Sequence, residues 1–304
     1  MKSACKQISN ANYARRALVA FTLLTVAAFQ PAAGQSLVIR DLGTLPGGNS
    51  SQAVGINERG QVVGYSFDAR GDQHASLFEN GVVTDLHTLP GGDTLSAAYW
   101  INNRGQAAGY SFNSSGYPRA TLFEKGQVID LGTLPGGDNS AASAINDRGQ
   151  VVGWSLNALT DTQAVLFEKG KVTDLGTLPG GYFSAAYGIN DRGQVVGWST
   201  SATSGTDHAF LYDHGVMTDL GTLPGGTISV VSGINDRGQV VGQSTDASGN
   251  FRAFLYEHGV MTDLGILPGG NTSTASAINN RGQIAGYSGT PFSPWHAAIW
   301  TRER

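Results

Sequence analysis

The sequence is poor in the residues that most often anchor a fold or a reaction. Cys5 is its only cysteine. One thiol cannot form an internal disulfide, and no Cys/His set of the structural-zinc kind can be assembled. Charged residues make up 14% of the chain, against roughly 25% in ordinary domains. The formal net charge is −4, and beyond the N-terminus there is no basic stripe or run. That lack argues against a nucleic-acid partner, whose phosphates need such a footprint. Long apolar runs are scarce too. The single one, Ala17 to Phe29, covers about a dozen residues, too few to span a hydrocarbon core of about 30 Å. No H-E-x-x-H, G-x-S-x-G or Walker loop occurs, and no loop carries the alternating oxygen ligands and closing glutamate of an EF-hand. No metal site or cofactor is therefore expected, and a chelator is expected to leave stability unchanged.

The apolar run belongs to a leader. Lys2, Lys6, Arg15 and Arg16 precede it, and Ala32-Ala33-Gly34 follows with small residues suited to cleavage after Gly34. Residues 1–34 read as a secretory signal peptide, leaving residues 35–304 as a single mature domain. Cys5 lies inside the leader, so the mature chain has no thiol. It is expected in the periplasm or outside the cell, with no membrane span after cleavage. Its stability must come from core packing and sheet closure.

What is abundant is glycine, 43 residues of 304, and it recurs in step. A Leu-Pro-Gly-Gly phrase places proline at Pro46, Pro90, Pro135, Pro179, Pro224 and Pro268, at intervals of 44 or 45 residues. An I-N-x-R-G phrase keeps the same beat, at Asn57, Asn102, Asn146, Asn190, Asn235 and Asn279. Each copy reads as four short strands: S-x-A-x-x-I-N, then Q-V-V-G-W-S, then the segment holding H-A-F, then V-x-D-L. Tight Asn/Asp–Gly turns join the first pair and the last pair. Four antiparallel strands in about 44 residues make a propeller blade, whereas solenoid coils have shorter periods and wide corners. The predicted fold is an all-β, six-bladed β-propeller. Leu37 to Leu42 reads as a fourth strand with no blade before it, and the last copy ends after its third strand, His296 to Trp300. The sequence thus predicts closure by an N-terminal strand joining the last blade, which would remove two sheet edges.

His208-Ala209-Phe210, with the partial matches His74-Ala75 and His296-Ala297, resembles the bacterial extracellular repeats named for their H-A-F tripeptide. Arg119, Gln163 and Arg252 stand in place of the histidine in the other copies. The likeness covers nearly all of the mature chain. It implies secretion and a β-repeat fold, and no defined activity.

Candidate site residues come from what varies between copies. Strand alternation sends the Leu-Pro-Gly-Gly corners and the loops of differing length to one face, and binding sits on variable loops held by a rigid frame. Beneath them, after the second-strand glycine, stand Tyr65, Tyr110, Trp154, Trp198, Gln243 and Tyr287. The five aromatic ones could stack on sugar rings, or they could pack between blades. Trp100 replaces the Gly or Ala of the other copies (Gly55, Ala144, Gly188, Gly233, Ala277) and is expected to narrow a channel or line a pocket. The arginines of the tight turns and the aspartates of the fourth strands recur six times, as frame residues do. Acids outside the repeated slots, such as Asp68, Asp72, Asp161 and Asp207, show no spacing that singles out a catalytic pair. The expected function is a non-catalytic binding module for an extracellular or envelope ligand, with a glycan as the favoured class. The alternatives are a secreted carbohydrate-active hydrolase or lyase using acids on the variable face, and a purely structural envelope scaffold.

Overall fold

Two turn chemistries cut each copy into strands. In the third copy Asn146 Oδ1 accepts the backbone N–H groups of Arg148 (3.1 Å) and Gln150 (3.0 Å). Gly149 closes the turn at φ 84°, a left-handed position suited to glycine. The second hairpin turns through Lys169 and Gly170, both at positive φ, the backbone of a type I′ turn. The computed structural model describes residues 39–92, 95–201, 205–290 and 295–302. The predicted leader lies outside them. The propeller forms the unit Leu42–Arg304, and Met1–Asp41 is a separate unit.

Among the described residues 23 strands form six antiparallel sheets, five of four strands and one of three. In every sheet the strand order follows the sequence. We number the blades one to six along the chain. Blade three is representative: Ser140–Ile145 lies innermost, then Val151–Leu156, Thr162–Glu168 and Lys171–Gly176. The innermost pair carries a bulge between Val152 and Gly153. A Cβ on Gly153 would sit 2.0 Å from the carbonyl oxygen of Ala141, which is why the V-V-G phrase ends in glycine.

Alternation along the strands gives each blade two apolar faces. Ala142, Ile145, Val151 and Phe167 of blade three form one buried cluster with Ala108, Ala120 and Leu134 from blade two and its exit segment. A fully buried side chain of this size contributes about 1.5–3 kcal/mol. Buried serines join the blades as well. Ser140 Oγ accepts the N–H of Ala120 in blade two (2.9 Å) and donates to Gly132 O (2.7 Å). The same bridge recurs at Ser96, Ser184, Ser229 and Ser273, which take the N–H groups of Ala75, Ala164, Ala209 and Ala253. The alanine of the H-A-F element is thus fully buried in all five of these blades. A second serine, Ser155 in blade three, accepts the N–H of Leu134 in the Leu-Pro-Gly-Gly corner (2.9 Å).

The predicted closing strand is not formed among the described residues. Ile39 to Leu42 carry no strand, Leu37 and Val38 lie outside the description, and the sixth sheet stops at three strands. The other fourth strands follow their third strand through a tight turn that sets the register. This one would have to come from the far end of the chain, with no turn to guide it. The seam between blades six and one is correspondingly open. Ile299 is 66% exposed and Ile56 68%, and Ala53, Ala285 and Ala297 are exposed. Ser51, the sixth member of the serine series, is only partly buried and bonds Gly43 O alone (2.7 Å).

Candidate functional site

The innermost strands all run the same way, so their Ile-Asn ends converge on one mouth of the ring. There they enclose a cavity of 510 Å³ to which all six blades contribute. Two hydrogen-bonded belts circle it. In the inner belt each asparagine amide reaches the next blade's carbonyl: Asn57 to Asn102 O (2.9 Å), Asn102 to Asn146 O, Asn146 to Asn190 O, Asn190 to Asn235 O and Asn235 to Asn279 O (each 3.0 Å). In the outer belt each backbone N–H reaches the next blade's side chain: Glu58 to Asn103 Oδ1 (2.9 Å), Asn103 to Asp147 (2.7 Å), Asp147 to Asp191 (2.8 Å), Asp191 to Asp236 (3.0 Å) and Asp236 to Asn280 (2.8 Å). The carboxylates of Asp147, Asp191 and Asp236 are therefore engaged as acceptors that tie blades together. They place hydrogen-bonding carboxylates among the amides of the mouth, in turns that also carry an arginine each.

Trp100 stands in this cavity and is 51% exposed. Gly55 of blade one packs against this strand's backbone, where a Cβ would come within 3.3 Å of Trp100 Cα and 2.8 Å of Tyr99 O. Trp100 lines the cavity together with the asparagine turns and is half open to solvent.

The other aromatic candidates are elsewhere. Tyr65, Tyr110, Trp154, Trp198 and Tyr287 are all partly buried, and none lines the cavity. Trp100 is at the Asn-turn end of its strand, whereas they follow the second-strand glycine. Most are held by neighbours in their own blade. Tyr65 donates to Gln52 and meets Phe67 edge-on at 6.1 Å. Tyr110 packs against Tyr99 at 5.7 Å and accepts a hydrogen bond from Gln73 of blade one (3.5 Å). The Trp198 indole N–H donates to Tyr187 Oη (2.9 Å), and Tyr287 meets Trp295 edge-on at 5.0 Å. Burial, then the adjacent Tyr110, holds the Tyr99 hydroxyl far above the usual phenol range.

The repeated charges are frame, as their recurrence suggested. Fourth-strand aspartates pair with the third-strand residue that opens the H-A-F element: Asp85 with His74 (3.2 Å), Asp130 with Arg119 (3.1 Å), Asp219 with His208 (2.9 Å) and Asp263 with Arg252 (3.0 Å). Sequence reasoning missed the belts. Their signal was present, since asparagine is invariant in all six copies where a turn alone would accept aspartate.

No protein-family model matches the chain, and no curated protein matches it. Solved structures do. The β-propeller domain of the Trilobed protease from Pyrococcus furiosus, a propeller of open velcro topology, aligns with TM-score 0.54 at 10% identity, over 84% of this chain and 82% of that one. The fold is that of a β-propeller. A puromycin-hydrolyzing peptidase from Mycobacterium tuberculosis aligns with TM-score 0.52 at 14% identity. That match spans 83% of this chain but only 43% of the peptidase. Identities this low carry the fold alone. Among the described residues no helix is long and apolar enough to cross a membrane.

Proposed function

We propose that the chain is an exported, non-catalytic binding module that holds a carbohydrate at the Asn-ringed mouth of its axial cavity. The observation that carries this reading is Trp100. It is the one aromatic residue among those that line the cavity, and it is half exposed where the other copies have glycine or alanine. An indole face covers the apolar side of a sugar ring, while a rim of amides and carboxylates offers hydrogen bonds to hydroxyls. The rim carboxylates already accept backbone N–H groups, which suits orientation of a ligand more than proton transfer. The partner would be an extracellular or cell-envelope glycan.

A glycan array on the purified mature protein tests the ligand class, and Trp100→Ala tests the place. Alanine is native at this position in two other copies, so the melting temperature should stay within a degree or two. Affinity for any glycan found should fall at least tenfold. Unchanged affinity in Trp100→Ala would remove the cavity from consideration. In Trp154→Ala, which leaves the cavity untouched, binding should persist.

A further inference from the structure

Blade one carries a polar cluster that, among the described residues, no other blade repeats. Its loop after the second strand holds Asp68 and Asp72, and the third strand brings His74 beside them. One donor atom from each lies within 4.8 Å of the other two. Asp68 is locked in place, because its Oδ1 accepts the N–H groups of Arg70 (2.8 Å) and Asp72 (3.0 Å). Its Oδ2 is left to face His74 Nε2 at 4.0 Å. The imidazole is nearly enclosed, and both of its nitrogens are buried without a hydrogen bond. Nδ1 has Asp85 Oδ2 at 3.2 Å on its far side. Two loop carboxylates and a third behind the ring thus surround one imidazole.

Blade five shows what this slot takes when it is filled. There Arg252 occupies the place of His74, between Asp246 (3.9 Å) and Asp263 (3.0 Å), the counterparts of Asp68 and Asp85. A positive charge sits between the two acids. Blade one offers an imidazole nitrogen there, and an additional carboxylate, Asp72, where blade five has Asn250. Its only nearby cation is Arg70, whose exposed guanidinium reaches back to Asp68 (3.2 Å) and Asp72 (3.4 Å). Such an exposed pair is weakly held.

We propose that Asp68, Asp72 and His74 bind a divalent transition-metal ion, with Zn²⁺ as the type, and that Arg70 covers the site until the ion displaces it. Asp68 Oδ2, an Asp72 carboxylate oxygen and His74 Nε2 supply three ligands, and water completes the shell. In the metal-bound state Nδ1–H donates to the Asp85 carboxylate (3.2 Å), which presents the Nε2 lone pair to the metal and orients the ring. An imidazole in the set favours Zn²⁺ over Ca²⁺ or Mg²⁺, which prefer all-oxygen shells. Bonds of about 2.0–2.2 Å place donors about 3.3 Å apart, so donors that now lie within 4.8 Å of one another close by up to about 1.5 Å. The D-x-x-x-D-x-H spacing matches no metal motif, and the site depends on Asp85 from another strand. That is why the sequence pointed to no metal, and this inference reverses that expectation.

The test is isothermal titration of the metal-stripped mature protein with ZnCl₂, with the Co²⁺ absorption spectrum as a second readout. Wild type should take up one Zn²⁺ per chain. His74→Arg and Asp72→Asn each install the blade-five residue, so the fold should tolerate both, and each should weaken binding at least a hundredfold. Arg70→Ala removes the competitor and should tighten binding about tenfold. His208→Arg, the same exchange in blade four, should leave binding unchanged. If wild type takes up no stoichiometric Zn²⁺, or if both His74→Arg and Asp72→Asn bind like wild type, the cluster is a salt-bridge network only and the proposal fails.

Discussion

At the scale of residues, one asparagine per blade does two jobs. Its Oδ1 holds its own turn, and its Nδ2 holds the next blade. The series provides its own control, because Asn279 ends the ladder. Asn279 caps its turn through Arg281 and Gln283, and its amide meets only Gln283 (2.9 Å). Asn146 adds the bond to Asn190 O and is buried. Asn146→Ala should cost about 2 kcal/mol, since it removes the interblade bond of a buried side chain as well as the caps on two turn N–H groups, and Asn279→Ala about 1 kcal/mol. Urea denaturation of both variants measures the difference. Equal losses would mean that the interblade bond carries no net stability. Recurrence made Asn146 visible in the sequence, but a partner 44 residues away in the next copy was not visible. Trp100 shows the reverse case. It was legible as a candidate because it broke the pattern, whereas the aromatics after the second-strand glycine recur in five copies out of six.

At the scale of elements, the serine bridges explain why the first strand opens with serine and the third holds a buried alanine. Ser140→Ala would leave the Ala120 N–H unpaired in a fully buried place. The expected loss is about 1–3 kcal/mol. Ser51→Ala removes only the bond to Gly43 O from a partly exposed site, and should cost about 0.5–1 kcal/mol. A thermal melt of the two variants ranks them, and a larger loss at Ser51 would show that blade one is bridged in solution as the others are. Strand order and hairpins were readable because turn chemistry is local. The bridges were not, because each joins strands of different blades whose facing sides are set only once the sheets stack.

At the scale of the molecule, blades two to five are packed on both faces, while blades one and six each keep one face open. Closure looked secure from the sequence because a spare strand stood at one end and a missing one at the other. Leu37 and Val38 of the spare strand lie outside the described residues, and three strands of the sixth sheet are described. Hydrogen exchange should therefore be graded around the ring. Amides of His296–Trp300 and Ser51–Ile56 should exchange faster than those of Thr162–Glu168 and Ser140–Ile145. Uniform protection would show that the seam closes in solution.

The asparagine ladder has a direction and two ends: a first donor in blade one and a last acceptor in blade six. Each rung consults only the following copy. No residue in the series records which copy it belongs to, so no local bond counts to six. The tally is kept by curvature alone. Slippage during copying of so repetitive a gene could add or drop a whole unit and still leave every rung between neighbours satisfied. The features that do mark a particular copy, Trp100 in the second and the Asp68, Asp72 and His74 cluster in the first, would then be duplicated or lost as complete sets. Blade number and ligand repertoire can change in this architecture by the same event.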